Sequence, residues 1–225
     1  KRNMGVQGIE QPQNQTEAWL LETVRRQSEA VGIKMPEVGI FPDHAANAFA
    51  TGASRNSSLV AVSKGLLQRF DEKSVEAVIG HEIAHVANGD MVTMSLLQGV
   101  LNTFVLLFSR IVGNIVDRAV FKNEDGNGIG SFLASLVAQV LFGILASVIV
   151  NWFSRYREYR ADEGGAQLAG KNNMIQALHN LQREHMPAHM SDQLAAFGIQ
   201  HSNVKNLFAT HPPLEKRIEN LEQRM

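Results

Sequence analysis

Residues 71–90 read DEKSVEAVIGHEIAHVANGD, and the organisation of the whole chain follows from how this stretch folds. Asp71 stands where an N-cap belongs, and behind it Val75, Val78, Ile79, Ile83 and Val86 recur at helical spacing until Asn88-Gly89 ends the pattern. The spacing predicts a helix with one buried face. Inside it lies His81-Glu82-Ile83-Ala84-His85. Positions i and i+4 share a helix face, so both imidazoles can reach one metal ion, while Glu82 stands beside it to accept a proton from water. Given this composition, the pattern would arise by chance about 0.02 times per chain.

The 225 residues carry 21 basic and 22 acidic side chains, eight His and no Cys. A formal net charge of −1 creates no long-range field that would gather phosphate, so non-specific nucleic-acid binding is excluded. The absence of Cys excludes a disulfide framework, thiolate metal sites and Cys nucleophiles. Any metal must therefore sit on His and carboxylate. The chain starts with Lys1, and its polar opening to Gln15 lacks the pattern of a signal peptide, which suggests a piece of a longer protein.

Upstream of the motif, Leu20, Leu21, Val24 and Val31 predict a helix over 16–31 that stops at Gly32. Short apolar runs at Val38 to Phe41, Asn47 to Thr51 and Leu59 to Ser63 predict a small sheet. Downstream, Met91 to Ser109 holds no charged residue in 19 positions, and Gly126 to Ser154 none in 29. Nineteen helical residues rise roughly 28 Å, close to the hydrocarbon thickness of about 30 Å. The two runs predict a transmembrane hairpin. Ser131, Ser135, Gln139, Gly143, Ser147 and Asn151 place small and polar groups on one ridge of the second span, which suits close helix packing in lipid or, in a sharper reading, a polar track towards a site. Amphipathic helices are expected over 172–183 and 214–223, with a poorly patterned stretch between.

A catalytic zinc takes three protein ligands and leaves a position open. Metzincin spacing fails, because Asn88 and Met91 occupy the positions that would carry Gly and the third His. A downstream carboxylate remains, and Glu158 emerges just after the second run. If the runs form a hairpin, Asp90 and Arg155 return to the same membrane face and Glu158 arrives beside the His pair. Asp162, one turn further on, is placed to hold a ligand His through its second ring nitrogen. The competing reading of Glu158 is a surface ion pair with Arg155.

With these residues assembled, the chain resembles the HtpX family of bacterial integral-membrane zinc metallopeptidases, related to the CAAX prenyl proteases. The resemblance covers nearly the whole chain. It rests on residues 47–52 (NAFATG), 63–67 (SKGLL), 81–85, 157–162 (REYRAD) and 210–214 (THPPL) before Arg217-Ile218. It implies one zinc per chain on His81, His85 and Glu158, Glu82 as catalytic base, and a catalytic domain on the cytoplasmic side of the inner membrane. It also implies two spans further upstream and polypeptide substrates, above all misfolded membrane proteins under envelope stress.

The strand Asn47, Ala48, Phe49 and Ala50 resembles the edge strand on which zincins lay an extended substrate; the alternative is an ordinary core strand. His211 precedes two prolines and could donate to a developing oxyanion, or else cap a helix locally. His44, His179, His185, His189 and His201 have no partner spacing that suggests ligation. The expected fold is mainly α with a small sheet, an α+β zincin-like catalytic domain interrupted by a two-helix membrane hairpin. Residues 1–90 and 155–225 supply its two halves and 91–154 the hairpin. Charge counting leaves the orientation open, since Arg155, Arg157 and Arg160 after the second run face Arg110, Arg118 and Lys122 between the runs. Two rivals remain at this stage, a soluble or periplasmic zincin whose apolar runs are core helices, and a non-catalytic scaffold fastened by zinc. Oligomeric state is not legible in the residues.

Overall fold

The computed structural model describes residues 5–122, 128–185 and 211–224. Among them, strand β1 (Gln7–Gly8) and helix α1 (Gln15–Ala30) come first, then β2 (Glu37–Phe41), β3 (Ala48–Ser54), β4 (Ser57–Ser63) and the short helix α2 (Lys64–Arg69). The motif helix α3 (Glu72–Asn88) follows, then α4 (Asp90–Val120), α5 (Ile129–Ala169), α6 (Lys171–His185) and α7 (Leu214–Arg224). The fold is mainly helical with one small sheet, as the sequence predicts.

The helix ends have local causes. Asn14 caps α1 by accepting the Glu17 N–H at 2.8 Å, and Glu17 accepts the Gln13 N–H in return. Asp71 caps α3 by accepting the Ser74 N–H at 3.0 Å. Gly89 ends α3 in the left-handed region at φ 70°, which costs glycine little. That reversal lets α4 begin at Asp90.

The sheet has the order β1-β2-β4-β3. β2 and β4 run parallel, whereas β1 on β2 and β3 on β4 are antiparallel. β4 is buried from Ser58 to Ser63, which suits a central strand covered on both faces. β3 is an edge strand and runs to Ser54, beyond the expected end at Thr51; Arg55 and Asn56 form the turn into β4, which begins at Ser57, before the expected Leu59.

One core joins Leu20 and Val24 of α1, Val60 and Val62 of β4, Val75, Ile79 and Ile83 of α3, Met174 and Leu178 of α6, and Leu221 of α7. Burial of each large aliphatic side chain contributes about 1.5–3 kcal/mol. The predicted apolar stripe of α3 is thus the centre of the core. The opposite side of α3 meets the last turns of α5. A Cβ added at Gly164 would lie 2.6 Å from the Ala84 Cβ, so glycine is what permits this approach. Its effect is to bring the segment 158–162 against His81 and His85.

The structure divides into two compact units, one built from the chain up to Val92 and again from Arg155, the other from Thr93 to Ser154. Within the second unit, Phe108 of α4 and Phe142 of α5 pack at 6.1 Å between ring centroids. Asp117 of α4 accepts the Gly128 and Ser131 N–H groups at 2.9 and 3.1 Å, capping the start of α5. On the small-residue ridge, Ser131 and Asn151 are buried and only Gln139 is exposed. Both long helices are long and apolar enough to cross a membrane. Leu96, Phe104, Leu133 and Leu141 are exposed, where a soluble core helix would bury them. α5 also continues without a break to Ala169, so Glu158 lies on the helix that carries the second apolar run.

Gly164→Ala is expected to lower the unfolding free energy by about 1–3 kcal/mol, because the crowded Ala84 Cβ cannot swing aside. Gly143→Ala meets nothing within 4 Å and serves as the control. Denaturant titration of both variants in detergent checks the difference.

Candidate metal centre and active site

His81 and His85 occupy successive turns of α3 and both are buried. Their Nε2 atoms face each other at 3.1 Å. Glu158 of α5, 3% exposed, closes the third side: its Oε2 lies 3.6 Å from His81 Nε2 and its Oε1 lies 3.5 Å from His85 Nε2. Ligands about 2.0–2.1 Å from a tetrahedral ion stand roughly 3.3 Å apart, so this triangle has the dimensions such an ion requires. His81, His85 and Glu158 are a group that could hold a metal ion.

Each imidazole is held through its other nitrogen. His81 Nδ1 bonds to Asp162 Oδ1 at 2.9 Å. His85 Nδ1 bonds to Asp90 Oδ2 at 2.6 Å, a partner that the helical spacing did not indicate. Such carboxylate–imidazole pairs fix the tautomer and turn Nε2 towards the shared point. Arg217 of α7 is a further residue not anticipated as part of the site. Its guanidinium donates to both Asp162 oxygens, at 2.7 and 2.5 Å, and its Nη1 lies 3.6 Å from Glu158 Oε2. Among the described residues around this cluster, the buried charges are three carboxylates, Asp90, Glu158 and Asp162, against one guanidinium, Arg217. With neutral imidazoles the deficit is two positive charges, that of one divalent cation. Donor type, spacing and charge therefore all fit a metal.

Burial opposes the charged form of His81, but hydrogen bonds to Asp162 and Glu158 outweigh it and push its pKa up to about 9. In His85 burial is likewise outweighed, by Asp90 and Glu158. Burial would raise the Glu158 pKa, yet the three neighbouring imidazoles, of His211, His81 and His85, hold it far below the usual carboxylate range. Asp162 is lowered despite burial by Arg217 and His81.

Glu82 is half-buried and lines a cavity of about 600 Å³ together with His81, Glu158, Asn47 and Ala48. Leu66, Val78, Met174, Leu181 and Leu214 form its apolar wall. His211 Nδ1 lies 3.2 Å from Glu158 Oε2, with 62% of its side chain exposed. Ala48, Phe49 and Ala50 lie in edge strand β3, paired with Val62, Ala61 and Val60. Asn47 lies just before the strand, where its N–H donates to Ser63 Oγ and its carbonyl accepts the Ser63 N–H. His44 and His179 are exposed and away from this cluster; His189 and His201 lie outside the described residues.

Asp90→Ala is expected to lower metal affinity about 10–100-fold, since His85 loses the group that orients it; competition with a chromophoric chelator measures this. Metal capture must displace the protons held by these imidazoles. Apparent affinity is expected to rise roughly tenfold per pH unit for each proton released, up to about pH 9. In metal-free protein the raised His81 pKa stabilises the fold below the ordinary value of 6.5, and that contribution is lost as pH rises through about 9. Calorimetric titration across pH checks both signs.

Known proteins resemble this chain over most of its length. The profile of peptidase family M48 matches residues 14–225. Protease HtpX of Thioalkalivibrio sulfidiphilus is 59% identical over 225 residues, covering 99% of this chain and 76% of that protein. Protease HtpX of Stutzerimonas stutzeri is 61% identical over 220 residues, covering 96% and 76%. The crystal structure of S. mikatae Ste24p superposes with a TM-score of 0.67 at 18% identity, covering 96% of this chain and 52% of that one, which shows a shared fold. The chain spans about three quarters of the HtpX relatives and about half of the Ste24p chain. It belongs to peptidase family M48, among the HtpX proteases.

Proposed function

We propose that this chain is a zinc-dependent metalloendopeptidase in which His81, His85 and Glu158 hold one zinc ion and Glu82 is the general base. The observation that carries the reading is the convergence of two imidazoles and one carboxylate on a single point, each imidazole fixed from behind by a buried carboxylate. When bound, zinc supplies a Lewis acid that acidifies water and polarises a peptide carbonyl. The chain's own residues carry the rest. Glu82, on the cavity side of α3, takes the proton of the attacking water and returns it to the leaving amine. His211 is within reach of the same point and donates to the developing oxyanion. Asp162 and Asp90 hold the imidazoles through Nδ1 and so aim Nε2 at the shared point, and Arg217 keeps Asp162 ionised. An extended substrate adds to the free edge of β3 next to Asn47–Ala50, where main-chain bonds accept any sequence.

The residues before 91 and after 154 form the two halves of the catalytic part in this reading, and the apolar helices anchor it in the bilayer. The exposed apolar side chains of α4 and α5 and the HtpX relatives support the membrane site. The family resemblance alone suggests the inner membrane, a catalytic part facing the cytoplasm, and misfolded membrane proteins as substrates. The presence of a positioned Glu82 beside an intact ligand set favours a peptidase over a zinc-fastened scaffold.

Glu82→Gln is expected to keep its zinc and lose about 10²–10⁴-fold in turnover of a casein or membrane-protein substrate. Glu158→Gln is expected to lose zinc as well. Paired measurement of metal content and proteolysis decides: full activity in Glu82→Gln removes it from the base role, and equal zinc content in both variants points to another third ligand.

A further inference from the structure

Asn88, the last residue of α3, gathers two cationic side chains from distant parts of the chain. Arg55, in the turn between β3 and β4, donates through Nη2 to the Asn88 carbonyl at 3.3 Å. Arg160, on α5, donates through Nη2 to the Asn88 side-chain oxygen at 3.1 Å. Both acceptors are neutral, and both arginines are exposed. The acids near Asn88 and Arg160 in the sequence are engaged elsewhere: Asp90 with His85, Glu158 with the imidazoles, Asp162 with Arg217 and Glu163 with Arg224. Two full positive charges are thus held on one residue, and among the described residues neither guanidinium is paired with a carboxylate.

The level of this pair along the chain is informative. Asn88 lies three residues before Met91, where the first uncharged run begins, and Arg160 lies six residues after Ser154, where the second ends. Six helical residues rise about 9 Å, and the polar headgroup layer is about 5–8 Å deep. The side chain of Arg160 leans back towards the start of its helix, its guanidinium carbon 6.0 Å from the centroid of the Tyr156 ring. That direction is towards the apolar run and closes the difference. Trp152 and Tyr156, both exposed, flank the end of the same run, as amphipathic aromatics do at a bilayer interface.

We infer that Arg55 and Arg160, held on Asn88, form a binding site for the phosphodiester headgroup of an anionic phospholipid. A planar guanidinium pair matches phosphate oxygens, and at this level the ligand within reach is a lipid headgroup. The site would fasten the C-terminal end of the motif helix α3 to the membrane surface. The inference rests on the membrane reading given above.

The test uses the intact zinc-loaded chain in phosphatidylcholine nanodiscs carrying dansyl-phosphatidylglycerol, with Trp19→Phe so that Trp152 is the only tryptophan donor. Energy transfer reports lipid retained beside α5. At about fivefold per guanidinium, R55Q/R160Q should need roughly thirtyfold more phosphatidylglycerol for the same signal, and R55K/R160K should stay within about threefold of the parent. Zinc content and circular dichroism establish that each variant is folded. Equal retention by the Gln pair overturns the inference, and so does equal loss by the Gln and Lys pairs. Displacement of the lipid by millimolar inorganic phosphate would make this a free-oxyanion site and overturns the lipid assignment. A chain that does not enter nanodiscs at all sinks the membrane reading itself, whereas entry without the charge dependence sinks only the headgroup site.

Discussion

A carboxylate withdrawn from water costs several kcal/mol unless its charge is answered at close range, and Glu158 is the residue on which that constraint falls hardest. It is 3% exposed and has three imidazoles and a guanidinium within 3.6 Å. Those neighbours come from α3, from the segment before α7 and from α7 itself. Separate parts of the chain are therefore drawn together by one charge. The glycine contact between α3 and α5 serves the same end, since a side chain at Gly164 would force the backbones apart and move Glu158 away from its partners.

Much of the fold and half of the centre were legible in the residues because the relevant information is local. The stripe from Val75 to Val86, the cap at Asp71 and the stop at Gly89 specify α3, and i, i+4 spacing puts His81 and His85 on one face. Glu158 and Asp162 needed a topological step, the return of the chain after two apolar runs. Arg217 was beyond such reasoning, because its partner Asp162 is 55 residues away and only tertiary packing brings α7 over α5. Asp90 is a different kind of omission. It is five residues from His85, but the left-handed turn at Gly89 intervenes, and no helical spacing rule relates residues across a reversal.

The apolar helices illustrate the limit of composition. Uncharged runs of this length fit either a buried core helix or a membrane span, and the residues alone left both readings open. Burial separates them: the small and polar Ser131 and Asn151 are buried, while large aliphatic residues such as Leu133 and Leu141 are exposed. That distribution is inverted relative to a soluble bundle, where the leucines would be inside.

The guanidinium that balances Asp162 also sets an order of assembly. Asp162 precedes Arg217 by 55 residues. At a translation rate of about 5–20 residues per second, the carboxylate is made roughly 3–11 s before its counter-charge. Throughout that interval the nascent chain holds acidic groups that have no reason to stay dry, and its centre remains open to solvent. The buried centre is therefore complete only once α7 has brought its guanidinium to Asp162.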